Sequence, residues 1–417
     1  MIFNEQTKSI PITKMMVWEA YKKVRSNKGS AGVDQQTLDD FNKVRSKELY
    51  KIWNRLTSGS YFPPEVKRVE ILKQGGKIRP LGVPTVRDRI AQQVIKSYLE
   101  PRLEAEFLEN SYGYRPNKSA HAAVKKVQEN VRKYSWVIDL DIKEFFENVN
   151  HELLFKALNL HVSEKWVLLY IRRWLEASVQ LPDGTLLSTS GNGTPQGGVI
   201  SPLLANLFMH YCFDKWLIIH YPEVQMVRYA DDIIVHCRTH QESTRLLAVI
   251  KQRLSECGLT AHPEKTKVVY CKKSGRNLKG FPVQFDFLGF SFRPIRMNLK
   301  KGGSFLQFDC IMSRKSKVRI TQELCKLNFH NMTQRTIQDL AILLNPKIRG
   351  WLNYYGKINR SCLRPVFYYL HHRMIKWALN KYKRFNRSKV KAVRWLRWVY
   401  NSFPNLFYHW TLGYQLT

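Results

Sequence analysis

Val227-Arg228-Tyr229-Ala230-Asp231-Asp232-Ile233-Ile234-Val235 sets two adjacent carboxylates inside an apolar, strand-forming run. Such neighbours repel each other and are costly to take out of water unless a cation neutralises them. A solvated Asp-Asp turn is the plainer reading and a metal site the sharper one. A second acidic strand, Val137-Ile138-Asp139-Leu140-Asp141-Ile142, places Asp139 and Asp141 on one face by the two-residue period of a strand. Taken alone, that pair leaves capping, ion pairing and metal binding all open. If the two strands are neighbours, three carboxylates can converge on two magnesium ions about 4 Å apart. That arrangement stabilises both oxygens of an in-line phosphoryl displacement.

The surrounding segments mix strand and helix signals. Val66 to Leu72 and Ile78 to Val83 read as a hairpin around Gln74-Gly75-Gly76-Lys77. Lys73, Lys77 and Arg79 beside those glycines suit a triphosphate tail, although solvated lysines on a surface hairpin are common. Helical spacing runs through Arg87 to Phe107 and Ala120 to Val131, and Trp136 to Ile142 reads as a buried strand leading to a helix near Asn150. Gly193-Thr194-Pro195-Gln196-Gly197-Gly198 is a flexible loop before a helix with Ser201 as N-cap and Pro202 at its first position. Met226 to Val235 and Phe285 to Phe292 read as strand pairs. Arg314 to Leu327, Thr333 to Tyr355 and Pro365 to Arg384 read as helices with alternating apolar and basic faces. The expected fold is therefore α+β in front and basic α-helical behind, with a boundary near residue 300 at Lys300-Lys301-Gly302-Gly303.

The chain has 417 residues, 68 Lys and Arg against 33 Asp and Glu, and a formal charge of +35. With 44% hydrophobic and 12% aromatic residues it can bury a sizeable core, which excludes general disorder. So large a charge calls for a polyanion, and nucleic acid is the commonest one. From Phe305 to Thr417 there are 21 Lys or Arg against three acids, and after Asp339 no acid occurs among 78 residues. Seven cysteines without a C-x-x-C pair argue against a disulfide framework or a structural zinc. No signal peptide or membrane span is apparent, so a cytoplasmic protein with no membrane partner is expected.

Several motifs follow one another along residues 20–360. They begin with Asn27-Lys28-Gly29-Ser30-Ala31-Gly32-Val33-Asp34, Ile78-Arg79-Pro80-Leu81-Gly82-Val83-Pro84 and Ser111-Tyr112-Gly113-Tyr114-Arg115-Pro116. Next come Asp141-Ile142-Lys143-Glu144-Phe145-Phe146, Pro195-Gln196-Gly197-Gly198 and Tyr229-Ala230-Asp231-Asp232. Gly258-Leu259 with Glu264-Lys265-Thr266, Phe287-Leu288-Gly289-Phe290 and Ile348-Arg349-Gly350-Trp351-Leu352-Asn353-Tyr354-Tyr355 complete the series. In this order the series resembles the group II intron-encoded reverse transcriptases, also called maturases. The first segment looks like the lid of their N-terminal extension and the last like their maturase, or thumb, motif.

The resemblance implies a right-hand polymerase. Residues 1–90 would form the N-terminal extension and first part of the fingers, 91–300 the remaining fingers and palm, 301–385 the thumb, and 386–417 a basic aromatic tail. Asp141, Asp231 and Asp232 would be the catalytic carboxylates and, with Ile142, the set holding two Mg²⁺ ions. Asp139 falls outside the motif as a neighbour. Phe146 would block a ribose 2′-hydroxyl, Lys73 and Arg79 would bind the triphosphate, and Gln196 would lie beneath the incoming nucleotide. Phe287, Leu288, Gly289 and Phe290 would grip the primer. Arg349, Lys376, Lys381, Lys383 and Arg384 are expected to bind RNA. The implied partners are an RNA template with DNA primer, dNTPs, target DNA and the parent intron RNA, whose splicing the protein would assist. The same core serving DNA repair or defence, or a non-catalytic RNA-binding splicing factor, are the alternatives.

Two departures bear on function. The His-Asn-His nuclease with cysteine pairs that many relatives carry is not found, so cutting of the second DNA strand is not expected. The tail, with Trp395, Trp398, Phe403, Phe407 and Trp410 among its bases, reads either as a DNA-binding extension or as a helix packed on the thumb. His371-His372 is expected to face RNA or solvent rather than a metal, and Tyr368, Tyr369 and Trp377 to sit in the core.

Overall fold

The computed structural model describes residues 10–72, 78–188, 191–195, 197–273, 278–298 and 302–414. The chain divides into two compact units, Met1–Ala123 with Trp136–Val268, and Val124–Ser135 with Val269–Thr417. Strands and helices are mixed in the first, and a small sheet with long helices makes up the second. The α+β expectation holds.

Two sheets organise the first unit. One runs β2-β1-β4-β5, with β1 (Val66–Leu72) antiparallel to β2 (Ile78–Val83), β4 (Val179–Gln180) parallel to β1, and β5 (Leu186–Leu187) antiparallel to β4. The expected front hairpin is thus present; Gln74 to Lys77 lie outside the described residues. The other sheet runs β6-β7-β3-β8, from β3 (Trp136–Asp141), β6 (Gln225–Tyr229), β7 (Asp232–Cys237) and β8 (Lys267–Tyr270), the strand on which the chain passes into the second unit. Val137, Ile138, Val227, Ile233 and Val235 are buried, which is why these strands read as apolar runs.

The helices of this unit start where their side chains can take up free backbone N–H groups. Thr85 accepts from Asp88 N at the head of the helix Val86–Glu106, and Thr239 with Glu242 forms a reciprocal capping box before His240–Glu256. The helix after the Gly-rich loop runs Ser201–Met209 with Pro202 in its first turn. Ser201 is not its N-cap. Ile200 holds that position, and the Ser201 hydroxyl donates instead to Pro195 O at 2.9 Å, tying the helix back to the loop.

In the second unit β9 (Phe285–Phe287), β10 (Phe290–Asn298) and β11 (Ser304–Met312) form an antiparallel sheet of order β11-β10-β9. Phe285 stacks on Phe292 at 4.8 Å and lies 6.1 Å from Phe308. Asn298 pairs with Ser304, so the boundary expected near 300 falls between two paired strands; Lys300 and Lys301 lie outside the described residues. Helices Arg314–Lys326, Ile337–Trp351 and Arg364–Lys381 match the three expected basic helices. A fourth, Lys389–Ser402, packs against the third through Trp395, whose ring lies 5.0 Å from Tyr382 and 6.1 Å from Trp377. Phe407 and Trp410 are buried, and Asn345 bonds both Leu406 O and Tyr408 N. Packing on the helices before it thus accounts for most of the tail; Trp398 and Phe403 remain exposed.

His371 is a correction. It faces neither RNA nor solvent: its Nε2 lies 2.9 Å from His409 Nε2, and Trp410 Nε1 donates to it at 3.3 Å. Burial pushes its pKa down to about 4, so the pair is neutral core. Trp377 is core as expected, whereas Tyr368 is exposed and Tyr369 OH meets Cys325 Sγ. Among the described residues no helix is long and apolar enough to cross a membrane.

Candidate active site

The two acidic strands are neighbours. β3 and β7 pair antiparallel with Asp141 opposite Asp232, and β6 and β7 pair with Tyr229 opposite Asp232, leaving Ala230 and Asp231 as a two-residue turn. Ala230 stands at φ +57°, a left-handed conformation that costs a non-glycine residue about 1–2 kcal/mol. The turn projects Asp231 and Asp232 from the end of the hydrophobic sheet beside Asp141.

The electrostatics are those of a site short of positive charge. The Asp232 carboxyl is pushed up to about 7 by withdrawal from water and by the charges of Asp231, Asp141 and Asp139. Asp232 still opens to solvent, so the crowd of like charges carries more weight here than burial. Asp141 is turned to a lysine: Lys265 Nζ donates to both of its oxygens, at 2.9 and 3.1 Å. Lys267 Nζ stands 3.7 Å from Asp139. Among the described residues no three acidic, histidine or cysteine side chains are drawn into a ready metal cage. The donor set nevertheless fits divalent cations, since hard carboxylate oxygens crowded enough to hold a proton near neutrality are what such an ion relieves. Ile142 is buried and bridged to Ala261, so only its main-chain oxygen could contribute. Lys265 stood in the sequence only within the Glu264-Lys265-Thr266 motif, with no role given to it; the hydroxyl of its neighbour Thr266 bonds the Asp141 backbone.

Phe146 is buried in the short turn Phe145–Glu147, its ring edge-on to Phe145 at 5.2 Å. Its carbonyl accepts from Thr194 N at 2.7 Å, and Gly193 N donates to Val149 O at 2.8 Å, so the Gly-rich loop is strapped to this turn. A Cβ on Gly193 would come 2.9 Å from Glu147 O, and one on Gly197 would come 2.1 Å from Gly82 O. Those glycines let the loop press against both the Phe146 turn and β2. A cavity of about 400 Å³ opens there, lined by Arg68, Pro80, Gly82, Glu147 and Thr194 among others. Arg79 lies on β2, opposite Ile71; Lys73 and Gln196 lie outside the described residues.

The lid-like loop is anchored by Arg89, which donates to Lys28 O at 3.3 Å and Ser30 O at 2.7 Å. In the second unit Phe287 pairs with Phe290 across a turn in which Leu288 and Gly289 are both left-handed. Leu288 O accepts from Tyr354 OH at 2.9 Å, Gly289 O from Ser316 Oγ at 2.9 Å, and Phe290 packs 5.5 Å from Tyr355. The Phe287–Phe290 turn and the Ile348–Tyr355 segment are thus one packed assembly. Arg349 lies over Tyr408 and Arg384 over Tyr382 and Phe385. Lys381 Nζ donates to Thr333 O at 2.7 Å and covers Trp377 and Tyr382, so its charge has a structural use. Lys376 and Lys383 border a groove of about 750 Å³ with Arg387 and Asn386.

Residues 71–292, just over half of the chain, match the reverse transcriptase (RNA-dependent DNA polymerase) family. The chain belongs to the reverse transcriptase family. Residues 317–395 match the group II intron maturase-specific domain. Over 202 residues, 48% of the chain and 33% of the relative, it is 35% identical to the group II intron-encoded protein LtrA of Lactococcus lactis subsp. cremoris. Over 206 residues, 48% of the chain and 53% of the relative, it is 36% identical to Protein YkfC of Escherichia coli. A putative COX1/OXI3 intron 2 protein of Saccharomyces cerevisiae is 26% identical over 409 residues, covering 84% of the chain and 47% of the relative. The chain thus spans between a third and about half of the length of these relatives. Reverse transcriptases are generally dependent on divalent metal.

Proposed function

We propose that this protein is an RNA-directed DNA polymerase that binds its parent group II intron RNA, assists its splicing and copies it into DNA during mobility. The observation that carries the reading is the register of β3 on β7, with Asp141 opposite Asp232 and Asp231 on the turn beside it. Asp141, Asp231 and Asp232, with the Ile142 carbonyl, would hold two Mg²⁺ ions. When bound, the ions lower the charge on the primer 3′-oxygen and on the leaving pyrophosphate. Lys265, which donates to both Asp141 oxygens, would have to give up that contact for Asp141 to serve as a ligand. Phe146 forms a wall against the sugar of the incoming dNTP, and Lys73, Arg79 and Gln196 orient its triphosphate and base. Such catalysis is largely positioning and charge neutralisation.

The fingers, palm and thumb assignment belongs to the same proposal, with residues 301–385 as the thumb. Phe287 to Phe290 hold the primer. Arg349, Lys376, Lys383 and Arg384 offer charge to intron RNA and to target DNA. A formal charge of +35 with an acid-free run after Asp339 supports polyanion binding by the second unit. Purified protein with an RNA template, an annealed DNA primer, dNTPs and Mg²⁺ is expected to extend the primer, and EDTA to stop it. Absence of extension across a range of salt would defeat the enzyme reading.

A further inference from the structure

Arg228, the residue before the Tyr-Ala-Asp-Asp turn, is fully buried, although it carries a permanent charge in an apolar strand. Its Nε donates to Asp214 Oδ1 at 2.7 Å and its Nη2 to Asp214 Oδ2, and Asp214 is fully buried too. Asp214 closes the wide helical turn His210–Asp214, 14 residues before Arg228 in sequence. A buried ion pair of this kind contributes little net stability against an apolar pair of similar volume, so its use lies in what it fixes.

The third nitrogen, Nη1, shows what that is. It donates to Ala230 O at 3.2 Å and to Asn206 Oδ1 at 3.0 Å. The Ala230 carbonyl belongs to the peptide joining Ala230 to Asp231, so the guanidinium fixes the plane from which both aspartates are launched. Asn206 passes the restraint on, its Nδ2 donating to Gly113 O at 2.7 Å. Gly113 lies against the turn so closely that a Cβ there would come 2.4 Å from Ala230 N. The Arg228 main chain is held on the same side, its N donating to Asn110 O at 2.9 Å and its O accepting from Tyr112 N at 2.8 Å. A strained, left-handed Ala230 is thereby enclosed by one rigid planar group and one glycine.

We propose that Arg228 is a positioning residue of the polymerase site. Acting through the Ala230 carbonyl, it sets the Asp231–Asp232 backbone in the geometry that takes up divalent metal, with Asp214, Asn206 and Gly113 as its supports. The proposal rests on the polymerase reading and deepens it. A group held through a peptide plane should alter metal uptake and the chemical step and leave primer–template affinity alone.

The test replaces the ion pair from both ends, Arg228→Met with Asp214→Leu, which leaves no buried charge unpaired. Alongside it, Arg228→Lys keeps the charge opposite Asp214 but lacks the planar fork that reaches Ala230 O. Melting temperature and primer–template Kd are expected to stay near those of the parent. Single-turnover extension at saturating dNTP should fall roughly tenfold to a hundredfold, the scale of a misplacement near 1 Å. The Mg²⁺ concentration for half-maximal rate should rise several-fold. Mn²⁺ titrated by EPR into the complex of protein, RNA template, chain-terminated primer and next dNTP should bind more weakly by a similar factor. Folded variants with the parental rate and Mn²⁺ affinity would overturn the proposal. So would failure of both variants to fold, or a rate loss that only tracks the folded fraction, since the pair would then serve the fold alone. A parent protein that does not extend primers at all would instead sink the polymerase reading.

Discussion

In the proposed polymerase site Phe146 would discriminate by shape rather than by hydrogen bonding. Its buried ring sits five residues beyond Asp141 on a turn whose carbonyl is clamped by Thr194, so the wall it offers is rigid. Phe146→Val is expected to raise ribonucleotide incorporation relative to dNTP by about 1–3 kcal/mol of lost discrimination, read from competing nucleotides in single-turnover extension. Unchanged discrimination would move the gate to another residue. The two acidic strands were legible in sequence through their apolar context and strand period, whereas the choice of Asp141 over Asp139 came only from the family resemblance. Arg228 and Asp214 were not legible, although both are charges set among apolar and aromatic neighbours. Sequence shows two unpaired oddities 14 residues apart, and only the fold makes them one ion pair. Lys265 escaped for a similar reason, since it meets Asp141 across 124 residues.

At the scale of single elements, the helix Val86–Glu106 carries a buried acid in its first turn. Asp88 accepts from Trp174 Nε1 at 2.7 Å, Gln92 Nε2 at 2.9 Å and Tyr61 OH at 3.0 Å, yet loss of water still raises its pKa from 3.8 to about 6. A folded pKa above the unfolded one means that the native state holds the proton longer. The stabilisation is complete below about pH 4 and is lost as pH rises through 6, by about 3 kcal/mol. Urea unfolding from pH 4 to 7 should therefore show a decline that Asp88→Asn removes, and parallel curves for the two proteins would refute the assignment. The helix Arg364–Lys381 and the turn after it give a second test. Lys376→Ala with Lys383→Ala should flatten the dependence of log RNA affinity on log salt by about one for each phosphate that the protein no longer neutralises. Lys381→Ala should lower the melting temperature instead, because its amine holds Thr333 O. Helical periodicity put these bases on one element, whereas the helix ends at Lys381 and Lys383 lies in the turn beyond it. Periodicity also could not tell which of them curl back onto aromatic rings.

At the scale of the whole chain, the charge shift near residue 300 suggested a boundary that the fold draws elsewhere. The division falls at Val268, within the strand β8 of the β6-β7-β3-β8 sheet, and the second unit also takes in 124–135. Gln128 donates to Asp309 at 2.5 Å and Arg132 stands 3.4 Å from it, so those residues belong with β11 by contact although they precede β3 in sequence. Charge composition records what a surface is for, whereas unit boundaries record which side chains are buried together, and the two need not coincide. The carboxylates lie in the first unit and the strongly basic helices in the second, which makes the two proposed activities separable by mutation. Asp231→Ala with Asp232→Ala takes two negative charges from a chain of formal charge +35 and leaves the helices Arg314–Lys326, Ile337–Trp351 and Arg364–Lys381 untouched. Like charges crowd the site, so their removal should not destabilise the sheet, and polyanion binding should hold or tighten. Primer extension should vanish, while splicing of the parent intron at reduced Mg²⁺ should still be promoted by the variant. If the double variant stays folded by circular dichroism and thermal melting yet loses both activities, the acidic turn is itself part of the RNA-binding surface, and the division of labour between the two units is wrong.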